Sequence, residues 1–274
     1  MSTAVNFAIQ RLEEKHLAAA VALSSDAGWN QNVNDWMLLL RLAPRTCFGI
    51  DCDGQLAATT TLVRYGDRLA WLGMVLTHRQ YQRRGFARRL LEHCLNKADE
   101  LGVQTIKLDA TDQGWPIYEK MGFRMEQTIQ RWAGCLMPGA TEALGCAERS
   151  LAKLTEFDRD VFGADRTLLL TLLSEHANAF QTSRGYLCYR PGFRASYLGP
   201  CIANSDAEAE QLIRHALKRG GNWFWDILEE NQPARALAAA FGFSVQRTLR
   251  RMLRGKEHRQ QTDKIYAIAG FELG

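Results

Sequence analysis

The order of hydrophobic and polar positions along the chain predicts an α/β protein. Extended apolar stretches alternate with stretches whose apolar residues recur about every 3.6 positions, the spacing of a buried helix face. AVNFAIQRL predicts a first strand, and EEKHLAAAVALSSDAG and NDWMLLLRLAP predict two helices, the second ending at Pro44. TCFGID, QLAATTTLVRYG and LAWLGMVLT predict three strands. The turns DCDG and YGDR between them favour hairpins, so these strands should run antiparallel.

The pattern continues with a long helix over residues 84–99, whose apolar face runs from Leu90 to Ala98. VQTIKLDA predicts a further strand, and WPIYEKMGF predicts a short helix that a proline opens and Gly122 ends. FRMEQTIQRW predicts the last strand of this unit. The next segment, AGCLMPGATEALGCAERS (133–150), is rich in small residues, and we interpret it as a linker.

Length and composition fit an ordinary globular protein of two domains. The chain has 274 residues, of which 46% are hydrophobic and 23% charged, and it contains no apolar run of about 18 residues that would predict a membrane span. The N-terminus lacks the blocks of a signal peptide, which predicts a cytoplasmic protein. Seven scattered cysteines without a CxxC pair predict reduced thiols and no zinc site. A net charge of +4 suits an anionic small molecule as well as nucleic acid.

The junction of the strand LAWLGMVLT with the long helix carries the first candidate chemistry, in the hexapeptide QRRGFA (82–87). Gly85 allows the backbone to turn so that several N–H groups point to one spot, and such a cluster at a helix N-terminus binds anions. The arginines beside it add charge suited to phosphate. No Lys-Ser/Thr pair follows and the Rossmann glycine pattern is absent, so a nucleoside-triphosphate loop is not predicted. The hexapeptide alone is equally typical of a helix start on a solvated basic face.

The motif order resembles that of the GCN5-related N-acetyltransferase (GNAT) superfamily over residues 7–132. Gln-x-x-Gly-x-Ala follows a strand, and a further strand and IYEKMGF come after it. The resemblance implies a mixed, mostly antiparallel twisted sheet flanked by helices, with acetyl-coenzyme A as cosubstrate and no metal. It implies that the backbone of Val75, Leu76 and Thr77 pairs with pantetheine, and that the N–H near Leu76 stabilises the oxyanion. The residues that it places around the pyrophosphate are Gln82, Arg83, Arg84, Gly85, Phe86, Ala87 and Arg88.

Tyr118, in PIYEKMGF, matches the family tyrosine that lies near the coenzyme sulfur and acts as general acid. A phenol with an ordinary pKa of about 10 is protonated at neutral pH, as a proton donor must be. Without the resemblance, Tyr118 would be interpreted as an aromatic side chain packed on the inner face of a short helix. Asp109 and Asp112 are candidates for orienting an amine. They are also candidates for a strand end and a helix cap, and we favour the cap for Asp112.

The second half repeats the first at domain scale. GFARRLLEHCL (85–95) aligns with AEAEQLIRHAL (207–217), and YEKMGF (118–123) aligns with AAAFGF (238–243). The repeat has lost the chemistry, because Asn204, Ser205, Asp206 and Ala207 replace QRRG and Ala238 replaces the tyrosine. We therefore predict two tandem GNAT-like domains: a catalytic one over residues 1–135 and a degenerate one over 150–274 that shapes the acceptor pocket. Nearly the whole chain resembles two-domain acetyltransferases of the YitH type.

The acceptor is predicted to be a small-molecule primary amine. The candidate residues for its site are Trp29, Asn30, Gln31 and, from the second domain, Asp226. No side chain stands out as general base, and the sequence does not indicate the oligomeric state. Two alternatives remain. The protein could sense acetyl-coenzyme A without turnover, or the basic run RTLRRMLRGKEHRQQ (247–261) could bind nucleic acid, which we rank below acetyl transfer.

Overall fold

The computed structural model describes residues 7–139, 147–148 and 151–274, and it confirms the predicted α/β fold. The first half places two helices before a hairpin of strands, as the hydrophobic spacing predicted. Its elements are β1 (Phe7–Arg11), α1 (Leu17–Asp26), α2 (Val33–Leu42), β2 (Cys47–Cys52), β3 (Gln55–Tyr65), β4 (Leu69–Thr77), α3 (Phe86–Glu100), β5 (Thr105–Ala110), α4 (Trp115–Lys120) and β6 (Arg124–Leu136).

The second half repeats this order, so the internal repeat read from the sequence corresponds to a repeat of structure. The elements of the second half are β7 (Ala147–Glu148), α5 (Thr155–Phe162), α6 (Thr167–His176), β8 (Asn178–Gln181), β9 (Gly185–Arg190), β10 (Ser196–Ala203), α7 (Asp206–Leu217), β11 (Gly221–Leu228), α8 (Gln232–Ala240), β12 (Ser244–Gly255) and β13 (Ile265–Ala267). The helix α7 is the counterpart of α3, α8 of α4, and β12 of β6.

The two halves exchange their last long strands and thereby form one continuous sheet. Along the described residues the order is β1-β2-β3-β4-β5-β12-β6-β11-β10-β9-β8-β7, with β13 paired to β10. The strand β12 of the second half lies between β5 and β6, with Arg251 opposite Asp109. The strand β6 of the first half lies against β11 of the second, with Arg131 opposite Asp226. Each half therefore completes the sheet of the other.

This exchange corrects the predicted linker. Residues 133–136 belong to β6, which continues past Trp132 because β11 supplies a partner as far as Leu136. Residues 147–148 form β7, which pairs with β8. The predicted domain boundary at residue 150, and most of the remaining linker, lie outside the described residues.

The strands β4 and β5 separate after a short parallel contact, and the gap between them positions the site. They pair only over residues 69–71 and 105–107. A bulge in β4 opposite β3, with Met74 at φ 49°, increases the separation of β4 from β5. In the second half, β10 and β11 likewise pair only over residues 196–198 and 223–225, but there β13 fills the gap by pairing with β10.

One face of the sheet is shared by both halves, and the other is divided between them. The helices α1, α2, α5 and α6 pack on a common face around one core that includes Trp36, Trp71 and Leu170. On the opposite face α3 and α4 cover the first half, and α7 and α8 cover the second, each with a separate core. Among the described helices, none is long and apolar enough to cross a membrane.

Residues 268–274 of the second half extend onto the first half across the shared face. Trp71 Nε1 donates to Phe271 O at 2.9 Å, and Tyr65 OH donates to Leu273 O at 2.6 Å. A Cβ added to Gly73 of β4 would lie 2.9 Å from the Cα of Glu272, so only glycine admits this backbone approach without displacement. We call residues 268–274 the tail segment.

Candidate active site

A cleft opens where β4 and β5 separate, and both halves of the chain line it. The first half supplies the separated strands, α4 and the connection between α1 and α2. The second half supplies β12 and the tail segment. The lining residues are Trp29, Gln31, Leu72, Gly73, Met74, Val75, Leu108, Asp109, Thr111, Tyr118, Arg247, Leu249, Phe271 and Glu272.

The free edge of β4 presents backbone groups to this cleft. His78 N–H donates to Ala57 O at 2.8 Å, which directs that residue's N–H toward β3. Hydrogen-bonded pairs alternate along an antiparallel ladder, so the N–H of Leu76, opposite Thr59, also points toward β3. The N–H of Thr77 points the other way, toward the gap, whereas Val75 lies beside the bulge, where this alternation is interrupted. The oxyanion role that the resemblance implies near Leu76 stays a prediction.

The loop before α3 has the geometry of an anion site. Gly85 is the N-cap residue at φ 80°, no side chain caps the helix, and Arg89 N–H makes the first bond of the turn, to Gly85 O. The N–H groups of Phe86, Ala87 and Arg88 thus have no acceptor within the helix. They are oriented, with the helix dipole, toward any anion placed before α3.

The side chains of this loop divide into one buried anchor and several exposed arginines. Phe86 is 3% exposed and packs against Phe7 and Tyr81, so only its backbone is available to a ligand. Gln82, Arg83 and Arg84 are exposed. The guanidinium of Arg84 lies 5.2 Å from the centroid of the Tyr81 ring, and that of Arg88 binds Glu92 at 2.8 Å. The arrangement fits a diphosphate held by backbone N–H groups with cations around it.

The equivalent place in the second half is closed. Ser205 is the N-cap of α7 and its hydroxyl accepts from Glu208 N–H at 3.3 Å, so the cap takes one of the donors that are free in α3. Asp206 hydrogen bonds to Tyr266 OH, and its carboxylate would repel phosphate. The adjoining gap in the sheet holds β13. These contacts agree with the loss of the motif in the sequence.

Tyr118 extends from α4 into the cleft. Its ring packs against Phe123 and lies close enough to Gly114 that a Cβ there would be 3.0 Å from the ring. Among the described residues, none hydrogen bonds to its hydroxyl. Burial raises the pKa of Tyr118 above its ordinary value, because the phenolate would lose its solvation. The side chain is therefore a neutral O–H donor at any physiological pH.

Two buried carboxylates line the cleft, one from each half. Asp109 accepts two hydrogen bonds from Arg251, at 2.8 and 2.9 Å. Glu272 accepts from Gln31 Nε2 at 2.8 Å and from Arg190 Nη2 at 3.3 Å. Burial raises the pKa of both carboxyl groups, and the neighbouring arginines oppose the rise.

The structure brings some of the predicted acceptor residues into the cleft and not others. Trp29 and Gln31 line it. Asn30 does not: its side chain donates to Ala195 O at 3.0 Å and accepts from the backbone of residues 194 and 195, so it fixes a loop of the second half. Asp226 is fully buried in a two-bond pair with Arg131, at 2.7 and 2.6 Å, and does not line the cleft.

The expected cap role of Asp112 is wrong, because α4 begins after Gly114, whose N–H bonds to Thr111 Oγ1. Asp112 instead accepts from Arg250. Sequence reasoning missed Phe271 and Glu272 as cleft residues, since the tail segment carries no periodic pattern. Arg247 was noticed only as part of a basic run, although its alternation with Leu249 placed it on a strand.

The basic run does not form a free cationic surface. It lies largely in β12, a central strand between β5 and β6. Arg251 is 1% exposed and bound to Asp109, while Arg250 and Arg254 pair with Asp112 and Asp99. These pairings leave the run with fewer free cations than its sequence suggested.

Comparisons with known proteins agree with this geometry. Residues 9–123 match the Acetyltransferase (GNAT) family, and residues 154–267 match the Acetyltransferase (GNAT) domain. The chain belongs to the GNAT acetyltransferase family. It carries two GNAT domains in tandem, and it is 27% identical to the uncharacterized N-acetyltransferase YitH of Bacillus subtilis (strain 168), over 96% of this chain and 97% of that one.

Solved structures show the same GNAT fold. A putative acetyltransferase from Pyrococcus horikoshii superposes with a TM-score of 0.88 at 22% identity, covering 98% of this chain and 96% of the other. A tandem GNAT protein from the clavulanic acid biosynthesis pathway superposes with a TM-score of 0.63 at 14% identity, covering 93% and 100%. A GCN5-related N-acetyltransferase from Sphaerobacter thermophilus gives 0.62 at 13%, covering 93% and 97%.

The GNAT domains and the YitH relative make the protein an N-acetyltransferase, and the GNAT family uses acetyl-coenzyme A as its cosubstrate. The loop before α3 and the free edge of β4 fit that cosubstrate, as donors to a diphosphate and to an extended amide chain respectively. Within residues 7–139, 147–148 and 151–274, no group of three or more His, Cys, Asp or Glu side chains is placed to hold a metal ion.

Proposed function

We propose that the protein transfers the acetyl group of acetyl-coenzyme A to a primary amine of a small molecule, by direct attack in a ternary complex. The observation that supports this most is the shared cleft, which begins at the free edge of β4 beside Tyr118 and is closed on its far side by β12 and the tail segment. A pocket built by two halves of one chain encloses a small ligand better than it admits a protein surface.

In this proposal residues 1–135 bind the coenzyme and residues 150–274 form a degenerate domain that shapes the acceptor side. The N–H groups of residues 86–88 would hold the pyrophosphate, and the free edge of β4 at Val75 and Thr77 would pair with pantetheine. The second domain would bind no coenzyme, because its helix start is capped by Ser205 and its gap is filled by β13.

The chemistry follows from the groups in the cleft. Acetyl-coenzyme A supplies an acetyl group activated as a thioester. A backbone N–H near Leu76, at the free edge of β4, would stabilise the negative charge that develops on the carbonyl oxygen during attack. Tyr118, held neutral by burial, would donate its proton to the departing sulfur. Glu272 and Asp109 would orient the attacking amine, and the raised pKa of Glu272 suits it to accept the amine proton.

The first test is thiol release from acetyl-coenzyme A with a panel of small amines, run beside thermal stabilisation by acetyl-coenzyme A. The Gly85→Glu variant places a carboxylate at the anion site and should lose both signals. Gly54→Glu is a matched control, because Gly54 has φ 81° and no atom within 4 Å of an added Cβ, as Gly85 has at φ 80°.

Amine-dependent release in the wild type and Gly54→Glu, with both signals absent in Gly85→Glu, would support the proposal. Stabilisation without turnover on any amine would favour a sensor of acetyl-coenzyme A. Absence of stabilisation in the wild type would contradict the assignment of the loop before α3.

A further inference from the structure

Among the described residues, the largely buried arginines that surround the cleft are bound to carboxylates, with one exception. Arg251 binds Asp109 and Arg131 binds Asp226, each through two hydrogen bonds. Arg190 binds Asp35 at 2.7 Å and Glu272 at 3.3 Å. Each pairing offsets the cost of removing a guanidinium from water.

Arg247 is the exception. It lines the cleft, and within the part of the chain that the structure describes, it has neither an ion pair nor a hydrogen-bond partner, while its Nε is buried. Its guanidinium carbon lies 5.0 Å from the centroid of the Phe271 ring, which holds the side chain against the tail segment. Burial lowers the pKa of Arg247 to about 10, and the positive charge of Arg131 adds to the effect. A cation kept in a cleft without a partner is destabilised until an anion binds it.

We infer that the acceptor is an amine that also carries a carboxylate, such as a free amino acid, and that Arg247 binds this carboxylate. The inference rests on the proposed function, since it assigns a part of the acceptor to the far end of the same cleft. The guanidinium fork of arginine matches the two oxygens of a carboxylate.

The charges along the cleft favour this choice over a phosphate. The four carboxylates Asp35, Asp109, Asp226 and Glu272 face the four arginines Arg131, Arg190, Arg247 and Arg251, so the set as a whole is neutral. A zwitterion adds no net charge to it, whereas a phosphate dianion would lie near Glu272 with a single unpaired arginine to balance it. The amine of the zwitterion would point to Asp109 and Glu272, and its carboxylate to Arg247.

The test compares each of the 20 common L-amino acids with its own carboxamide. For every pair we would measure kcat/KM by thiol release, and the binding constant in the presence of coenzyme A by calorimetry. At least one amino acid should be preferred over its amide by about 10- to 100-fold, the range expected for hydrogen bonds to a charged group. In Arg247→Gln this ratio should fall to near one, and Arg247→Lys should restore part of it.

Arg254→Gln is the matched control, because Arg254 lies on the same strand but pairs with Asp99 outside the cleft. It should keep the wild-type ratio. Stabilisation by acetyl-coenzyme A in each variant shows that the fold and the coenzyme site are intact.

Each outcome decides the inference separately from the proposed function. Turnover of simple amines or amides at rates equal to those of the acids would overturn the inference and leave acetyl transfer standing. Acid-selective binding without any turnover, lost in Arg247→Gln, would support the carboxylate site while contradicting the reaction. An acid preference that survives Arg247→Gln would show that another group binds the carboxylate and would overturn the role of Arg247.

Discussion

Replacing Gly73 by alanine should disturb the acceptor side of the cleft through one crowded contact. The added Cβ would lie 2.9 Å from the Cα of Glu272 and 3.0 Å from its carbonyl oxygen. Carbon atoms pack without repulsion at about 3.5 Å or more, so the tail segment must move by about 0.6 Å. The obstructing atoms are backbone, and backbone cannot rotate away as the end of a flexible side chain can.

The expected cost is that of overpacking a buried site, about 1–3 kcal/mol in the free energy of unfolding. For a chain of this size about 1 kcal/mol corresponds to about 2–4 °C in Tm, so we expect Tm to fall by about 2–12 °C. The displacement also moves Glu272 away from Gln31, which it contacts at 2.8 Å. KM for the amine should therefore rise, while stabilisation by acetyl-coenzyme A should persist because the loop before α3 is untouched.

Differential scanning calorimetry and steady-state kinetics test both effects together. Gly134→Ala is the control, since its Cβ would lie 3.0 Å from the Phe243 ring, a crowded contact with a side chain that lies outside the cleft. It should lower Tm but leave the KM for the amine at the wild-type value. If Gly73→Ala had the wild-type Tm and KM, the tail segment would not be pressed against β4, and the reasoning would be refuted.

Four further predictions test other features. Tyr118→Phe should lower kcat about 10²-fold or more and leave the binding of acetyl-coenzyme A unchanged. Because burial raises the pKa of Tyr118, deprotonation of this acid should not lower the wild-type kcat up to about pH 10. A fall in kcat from its deprotonation at neutral pH would contradict the role. Isothermal titration should give one acetyl-coenzyme A per chain, also in Ser205→Gly, because β13 still fills the gap in the second half. Two binding sites per chain would show that β13 does not block the second one. Asp226→Asn leaves the buried charge of Arg131 without its carboxylate and should cost about 3–5 kcal/mol in chemical denaturation, whereas a cost below about 1 kcal/mol would show that the pair is dispensable. Residues 1–135 expressed alone should lack a cooperative thermal transition, because β5 loses β12; a sharp melt would show that the exchange is not required.

The sequence was sufficient for the elements whose boundaries are decided locally. The helix predicted over residues 84–99 is α3, Phe86–Glu100, because its apolar spacing and Gly85 determine where it lies. The short helix ending before Gly122 and the three antiparallel strands were also predicted correctly, from a proline, glycines and turn residues. The repeat revealed the tandem arrangement because equivalent helices keep the same buried positions.

The parts that could not be predicted depend on contacts between residues far apart in the chain. The pairing of Asp109 with Arg251 joins positions 142 residues apart, and neither side chain signals the other. Glu272 lies in a segment without periodicity, so nothing local indicated that it would line the cleft. Asn30 looked like a loop residue free for a ligand, but its amide is used to hold a distant loop. Side-chain roles at a shared cleft follow from the strand exchange, which local pattern does not encode.

The exchanged strands also determine how the molecule folds and unfolds. Until β12 is placed beside it, β5 has only its short parallel contact with β4. The first half therefore depends on chain that follows it by more than 100 residues. The first half can complete its sheet only after the chain has closed this long loop, and such non-local pairing slows folding. Unfolding should be a single cooperative event, in which amides of β11 exchange hydrogen together with those of β4. A ligand that binds only at the first half would then slow hydrogen exchange in the second.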